Sequence, residues 1–184
     1  MKVLGIMASP TKKGNSDILL QEALNGARSK GAEIEKINLV DETLPPCSGC
    51  FACKKRQRLC VPTPEINSLL QKIQDADALI FSTPVWWFSM SSYLKLLLDH
   101  FVAFFREDSL STIAGKKVAV LTCSGGGHDA GTKETVMLLK KGFDFLGLTW
   151  VDELRVVNVS KHGAVKENQD ALVKAFAIGE KICS

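Results

Sequence analysis

Four of the six cysteines in this 184-residue chain fall within CSGCFACKKRQRLC, residues 47–60. Cys47, Cys50, Cys53 and Cys60 are spaced C-x2-C-x2-C-x6-C. A C-x2-C-x2-C run turns compactly enough to send three thiolates to one side, and the fourth cysteine can close the site. Four thiolates are the ligand set of a [4Fe–4S] cluster. Zinc also accepts four, although structural zinc sites usually pair two C-x2-C units across a longer gap. A thiol redox pair, or packing as small apolar residues, uses the same side chains. A disulfide staple belongs to an oxidising compartment. Cys123 and Cys183 stand apart; Cys123 ends an apolar run, where cysteine packs as a small hydrophobe.

Three other stretches carry chemistry. In SPTKKGNS (9–16), Ser9, Thr11, Asn15 and Ser16 offer side-chain donors and Gly14 permits a tight turn. A helix starting there would aim its free N–H groups and its dipole at an anion, which is chemistry for a phosphate. The stretch lacks the lysine and glycine spacing of a P-loop and the GxGxxG of a dinucleotide site. A polar turn with a helix cap at Asn15 or Ser16 is the plainer alternative. In TPVWWFSMSS (83–92), Pro84, Val85, Trp86, Trp87 and Phe88 could flank a flat apolar cofactor, or pack into the core or an oligomer interface. In SGGGHDAG (124–131), Ser124, Gly125, Gly126 and Gly127 leave backbone N–H groups open to a ligand ring. His128 reads as a proton donor or as polar surface.

These stretches sit between elements that alternate in type. KVLGIM (2–7), ALIFST (78–83) and KKVAVLTC (116–123) read as buried strands. EIEKINLV (33–40) reads as a strand exposed on one face, and a last strand lies within 150–159. Helices are expected from Ser16 to Gly31 and over 64–75, 89–105, 132–146 and 164–182, with the 78–83 strand stopping at Pro84. The order β-α-β-α-β-α-β-α-β-α predicts an α/β fold, a doubly wound five-stranded parallel sheet with helices on both faces. Nothing divides the chain, so 1–184 reads as one domain with a cysteine-rich loop insertion at about 44–63. Ligands of such sheets bind at the carboxyl ends of the strands. The loops at 9–16, 83–92 and 124–131 then form one pocket, with phosphate at one end and a planar ring at the other. That suits a mononucleotide, FMN best.

Composition bounds the partners. Hydrophobic residues are 46%, charged residues 23%, and the net charge is +3. Neither a nucleic-acid nor a membrane partner is indicated, and KKRQR (54–58) reads as a solvated loop tip. The start, MKVLGIMASP, is too short an apolar run for a signal peptide and lacks a cleavage site, so a cytoplasmic protein is expected.

ASPTKKGNS, CSGCFACKKRQRLC, TPVWWFSMSSYLKLLLD and TCSGGG occur in the order and at the spacing of a known family. The chain resembles the flavodoxin-like NADPH-dependent FMN reductases, and within them the iron–sulfur flavoproteins. The resemblance implies strand order 2-1-3-4-5. It implies that Ser9, Thr11, Asn15 and Ser16 hold the FMN phosphate, that residues 84–88 flank the isoalloxazine, and that Ser124 to Gly127 contact its edge. Ala8 and Thr11 stand where relatives carry Gly and Arg, so Lys12 or Lys13 is expected to supply the cation. Phe88 stands where relatives often have Gly, and there it would narrow substrate access. The four cysteines would carry the [4Fe–4S] cluster. NAD(P)H or a reduced protein such as ferredoxin would be the redox partner, and the chain would form homodimers or homotetramers in which one subunit's cluster approaches another's FMN. A cluster-free NAD(P)H-dependent reductase of free flavin or quinones is the alternative.

Overall fold

The computed structural model describes residues 1–56, 58–105, 111–127 and 129–184. Its strands are β1 (Lys2–Met7), β2 (Glu33–Asn38), β3 (Ala78–Trp86), β4 (Ser89–Met90), β5 (Lys117–Cys123) and β6 (Thr149–Val156). Its helices are α1 (Asn15–Ser29), α2 (Ala52–Arg56), α3 (Asn67–Asp75), α4 (Ser92–Asp99), α5 (Thr132–Phe145) and α6 (Gln169–Ile182). The long strands pair in parallel in the order β2-β1-β3-β5-β6. This is the expected 2-1-3-4-5 path, with β4 added as a short antiparallel partner of the end of β3.

The period of the strands divides the core. Leu4, Ile6, Leu79, Phe81, Val118 and Val120 pack with α3, α4 and α5. Val3, Met7, Ala78, Ile80, Ala119 and Leu121 face α1 and α6. Alternate residues of one strand thus enter opposite layers, which is why these runs are apolar throughout. Each fully buried Leu, Ile or Phe contributes about 1.5–3 kcal/mol of transfer free energy.

Several boundaries differ from the sequence reading, and three have a clear local reason. The third strand continues through Pro84 to Trp86. The register of β3 with β1 ends at Ser82, so Pro84 pairs only with β5 and its missing N–H leaves no gap in the sheet. The helix expected over 89–105 is shorter. Ser89 and Met90 are taken by the β3–β4 hairpin, Ser91 caps α4 by accepting from Leu94 N–H at 3.3 Å, and residues 100–104 tighten into a 3₁₀ turn. Within the cysteine stretch, Lys54, Lys55 and Arg56 belong to α2 and are not a loop tip.

The contact between α1 and α6 is unusually close. A Cβ on Gly179 would overlap the carbonyl of Ala23, and one on Gly26 would overlap the carbonyl of Phe176. Backbone cannot yield as a side-chain tip can. Gly179→Ala is therefore expected to destabilise by about 3 kcal/mol, lowering Tm by roughly 6–12 °C. Gly142→Ala, inside α5 with nothing near its would-be Cβ, should raise Tm by about 2–4 °C through helix propensity. Thermal denaturation of both variants checks the pair.

Candidate cofactor cavity and cysteine site

A cavity of about 410 Å³ opens at the carboxyl ends of the strands. Three predicted stretches meet there. Ser9, Thr11, Gly14, Asn15 and Ser16 line it from the β1–α1 loop, Pro84, Val85 and Trp86 from the end of β3, and Ser124 and Gly125 from the loop after β5. Lys12, Trp87, Phe88, Gly126 and Gly127 are not among its lining. A fourth segment does line it: Val159, Ser160, Lys161 and His162, after β6, together with Cys123. The sequence reading placed the last strand within 150–159 and assigned no role to the residues that follow it. The carboxyl-end rule applied to β6 would have marked this loop. His128 lies outside the described residues.

The β1–α1 loop is ordered from within. Gly14 N–H donates to Thr11 C=O at 3.2 Å, Thr11 N–H to Ser9 Oγ at 3.1 Å, and Lys13 N–H to the Asp17 carboxylate at 2.7 Å. Lys36 closes an ion pair on Asp17. The N–H groups of Asn15 and Ser16, at the start of α1, have no partner among the described residues. They are the donors a phosphate would meet. The Asn15 side chain serves differently from expectation. Its Nδ2 donates to the carbonyls of Val159 at 2.8 Å and Lys161 at 2.9 Å, and its Oδ1 accepts from Val165 N–H at 3.0 Å. Ser16 Oγ lies 3.1 Å from Cys123 Sγ, whose thiol burial pushes up in pKa. Lys12 pairs with Asp41 at 2.7 Å.

The glycine loop also works otherwise than foreseen. Added side chains at Gly125, Gly126 and Gly127 would meet Ser160, Ala130 and Asn158 at 3.2, 2.9 and 3.1 Å. The glycines let this loop lie against the one after β6. Asn158 N–H then donates to Gly126 C=O and Val159 N–H to Ser124 C=O, both at 3.0 Å.

The third wall is a strained hairpin. Val85 pairs with Met90 and Trp86 with Ser89, leaving Trp87 and Phe88 as a two-residue turn. Both have positive φ, 50° and 63°, in a turn that favours Asn-Gly. Each left-handed aromatic costs about 1–2 kcal/mol. Trp87 is 94% and Phe88 70% exposed. Gly131, at φ 79°, lies directly beneath: its Cβ would stand 2.5 Å from Phe88 Cα.

The cysteine stretch forms a second cavity of about 380 Å³, lined by Cys47, Cys50, Cys53 and Cys60 and by His100 and Ala103 beneath them. His100 is buried, with Nε2 2.8 Å from the Pro45 carbonyl, which ties down the start of the stretch. Cys60 Sγ lies 2.8 Å from Thr63 Oγ1. Hydrogen bonds from Ala52 N–H and Ser48 lower the Cys50 thiol, whereas burial raises Cys53. Among the described residues, no three His, Cys, Asp or Glu side chains converge closely enough to hold a single metal ion. The two cavities share no lining residue.

The hairpin strain is testable. Phe88→Gly is expected to remove one left-handed aromatic and raise Tm by about 2–4 °C. Gly131→Ala, driven into the Phe88 backbone, should lower Tm. Differential scanning calorimetry reads both signs.

The comparisons with known proteins agree with this architecture. Residues 1–162 match the profile of the NADPH-dependent FMN reductases. An iron–sulfur flavoprotein of Methanocaldococcus jannaschii is 36% identical over 129 residues, 70% of this chain and 66% of that protein. One from Methanosarcina thermophila is 28% identical over 154 residues, 83% and 78% of the two chains. The match to an Archaeoglobus fulgidus iron–sulfur flavoprotein spans only 54% of its length. An NAD(P)H:quinone oxidoreductase from Methanothermobacter marburgensis shares the fold, with a TM-score of 0.80 at 23% identity over 99% of this chain and 98% of that one. An archaeal flavodoxin does so with a TM-score of 0.63 at 16% identity, over 100% and 96%. With its 162 matched residues and its parallel sheet in flavodoxin order, the chain belongs to the NADPH-dependent FMN reductase family.

Proposed function

We propose that this chain is a flavin-dependent oxidoreductase that binds FMN in the carboxyl-end cavity and a [4Fe–4S] cluster on Cys47, Cys50, Cys53 and Cys60. The observation that carries the flavin reading is the meeting of three predicted stretches at one cavity in a chain of this family. Bound FMN supplies two-electron chemistry with a hydride donor and one-electron chemistry with a carrier. The residues present suit it. Free N–H groups at Asn15 and Ser16, with the hydroxyls of Ser9 and Thr11, face the phosphate end. Pro84, Val85 and Trp86 offer an apolar wall for the ring, and Gly125 brings backbone to its edge. These groups bind and orient; no side chain is assigned as a catalytic acid or base.

The cluster reading rests on the donor set. A single ion needs its donors to converge on one point. A cluster takes one thiolate at each of four irons, so its cysteines stand around a larger body. Four thiols lining one cavity of about 380 Å³ are compatible with the second arrangement. The iron–sulfur flavoproteins among its relatives support the same reading. A bound cluster would pass electrons one at a time. A reducing, cytoplasmic setting completes the proposal, since all six cysteines are free thiols. The redox partners are NAD(P)H or a reduced protein of ferredoxin type, and an oxidised small molecule. Because the two cavities are separate, we also propose a homodimer or homotetramer that brings one copy's cysteine site toward another's flavin. The second reading is a cluster-free NAD(P)H-dependent reductase of free flavin or quinones, supported by a relative named FMN-dependent NADH:quinone oxidoreductase, 30% identical over 124 residues.

Anaerobic purification with iron, flavin and visible-spectrum analysis separates the readings. About four irons and one FMN per chain, with broad absorbance that bleaches on reduction, is the expected result. FMN without iron after anaerobic reconstitution would leave the quinone-reductase reading. Cys53→Ala is expected to abolish iron binding and to keep FMN, because the cavities have no wall in common.

A further inference from the structure

Beyond the general flavin site, and resting on that reading, we infer that Lys161 is the cation that recognises the FMN phosphate and that the Asn15 side chain is its positioning residue. Lys12, the nearer candidate in sequence, is paired with Asp41 at 2.7 Å and does not line the cavity. Lys161 does line it, beside the start of α1, and has no ion pair among the described residues.

The loop that carries Lys161 is fastened to the phosphate loop on both sides of it. Asn15 bonds the carbonyls of Val159 and Lys161 and the N–H of Val165. His162 Nε2, 3.2 Å from the Lys12 carbonyl, donates a further bond. A primary amide with one acceptor and two donors satisfies all three backbone groups at once. Its capacity is engaged in this clamp, so the side chain cannot also serve the phosphate. The adjacent free N–H groups of Asn15 and Ser16 and the residue Lys161 are thereby brought to one cavity from two loops that are about 145 positions apart in the chain. Two dipolar donors and one full charge are the usual complement for a monoester phosphate.

Riboflavin shares the ring of FMN and lacks the phosphate, so the ratio of their dissociation constants isolates this contact. Fluorescence titration of the apoprotein with each ligand is the experiment. Lys161→Met should weaken FMN by about 10- to 100-fold, the range of a lost charge-assisted contact, and change riboflavin by less than about 3-fold. Lys161→Arg should restore most of the FMN preference. Asn15→Ala should raise the FMN:riboflavin ratio of dissociation constants, the same direction as Lys161→Met. In the double variant the two losses should not add, since Asn15 acts through Lys161. Circular dichroism confirms that each variant is folded. An unchanged ratio in Lys161→Met overturns the inference, as does a larger loss in Lys12→Met. Wild-type protein that binds FMN with such a result sinks this assignment alone. Wild-type protein that binds neither flavin takes the proposed function down with it.

Discussion

The cavity depends on the backbone contact between α1 and α6. Gly26 and Gly179 allow the two helices to meet with carbonyls against Cα atoms. β6 lies at the edge of the sheet, with β3 and β5 between it and β1, so its following loop has no covalent reason to approach the β1–α1 loop. Laying α6 against α1 brings the two helix starts side by side. Only then can Asn15 reach the backbone of residues 159, 161 and 165. A packing constraint deep in one layer thus decides which polar groups face a ligand at the edge.

The remaining walls follow the same logic of small residues and close loops. Gly125 and Gly127 lay the β5 loop on the β6 loop, and Gly131 seats the β3–β4 turn. Ser91 Oγ donates to Ala8 C=O at 2.5 Å and Ser82 Oγ to Ser16 C=O at 2.7 Å, which ties the end of β3 to the phosphate loop. The turn is a place where local preference is overruled. Two bulky aromatics occupy a conformation that suits glycine and asparagine, and neither is buried in return. Strain that persists without a packing gain points to work done at the surface. Here that surface lies beside the cavity, which Trp86, the residue before the turn, lines.

The layer order and sheet path were legible because buried parallel strands leave continuous apolar runs, such as Val3 to Met7 and Val118 to Leu121. Pro84 misled because its meaning depends on whether a neighbour pairs on that side, and register is not written locally. In the site, residues whose type implies a donor were found and residues whose role depends on folding were not. Asn15 read as a phosphate ligand from its place at a helix start. Its true partners lie near residue 160, a separation no spacing rule reaches. Lys12 and Lys13 looked like the cation because they are near in sequence; Asp41, in the turn after β2, engages Lys12, and neither lysine lines the cavity. Of the glycines at 125–127, identified as openings for a ligand, Gly125 lines the cavity, and Gly125 and Gly127 also let two of the chain's own loops meet.

The two sites also sit in different physical settings, and this bears on how they would work together. Cys53 packs into the core layer of α3, α4 and α5, whereas Cys123, on the floor of the flavin cavity, belongs to the layer of α1 and α6. The sheet lies between the layers. A redox centre built on the cysteine stretch would therefore have its own walls and its own exposure, with Cys50 open to solvent and Cys53 buried. Reduction potential follows burial and hydrogen bonding around the ligating sulfurs. Changes around His100 and Thr63 could tune such a centre without reshaping the flavin site. On the reading proposed above, that independence would let each half-reaction be adjusted without disturbing the other.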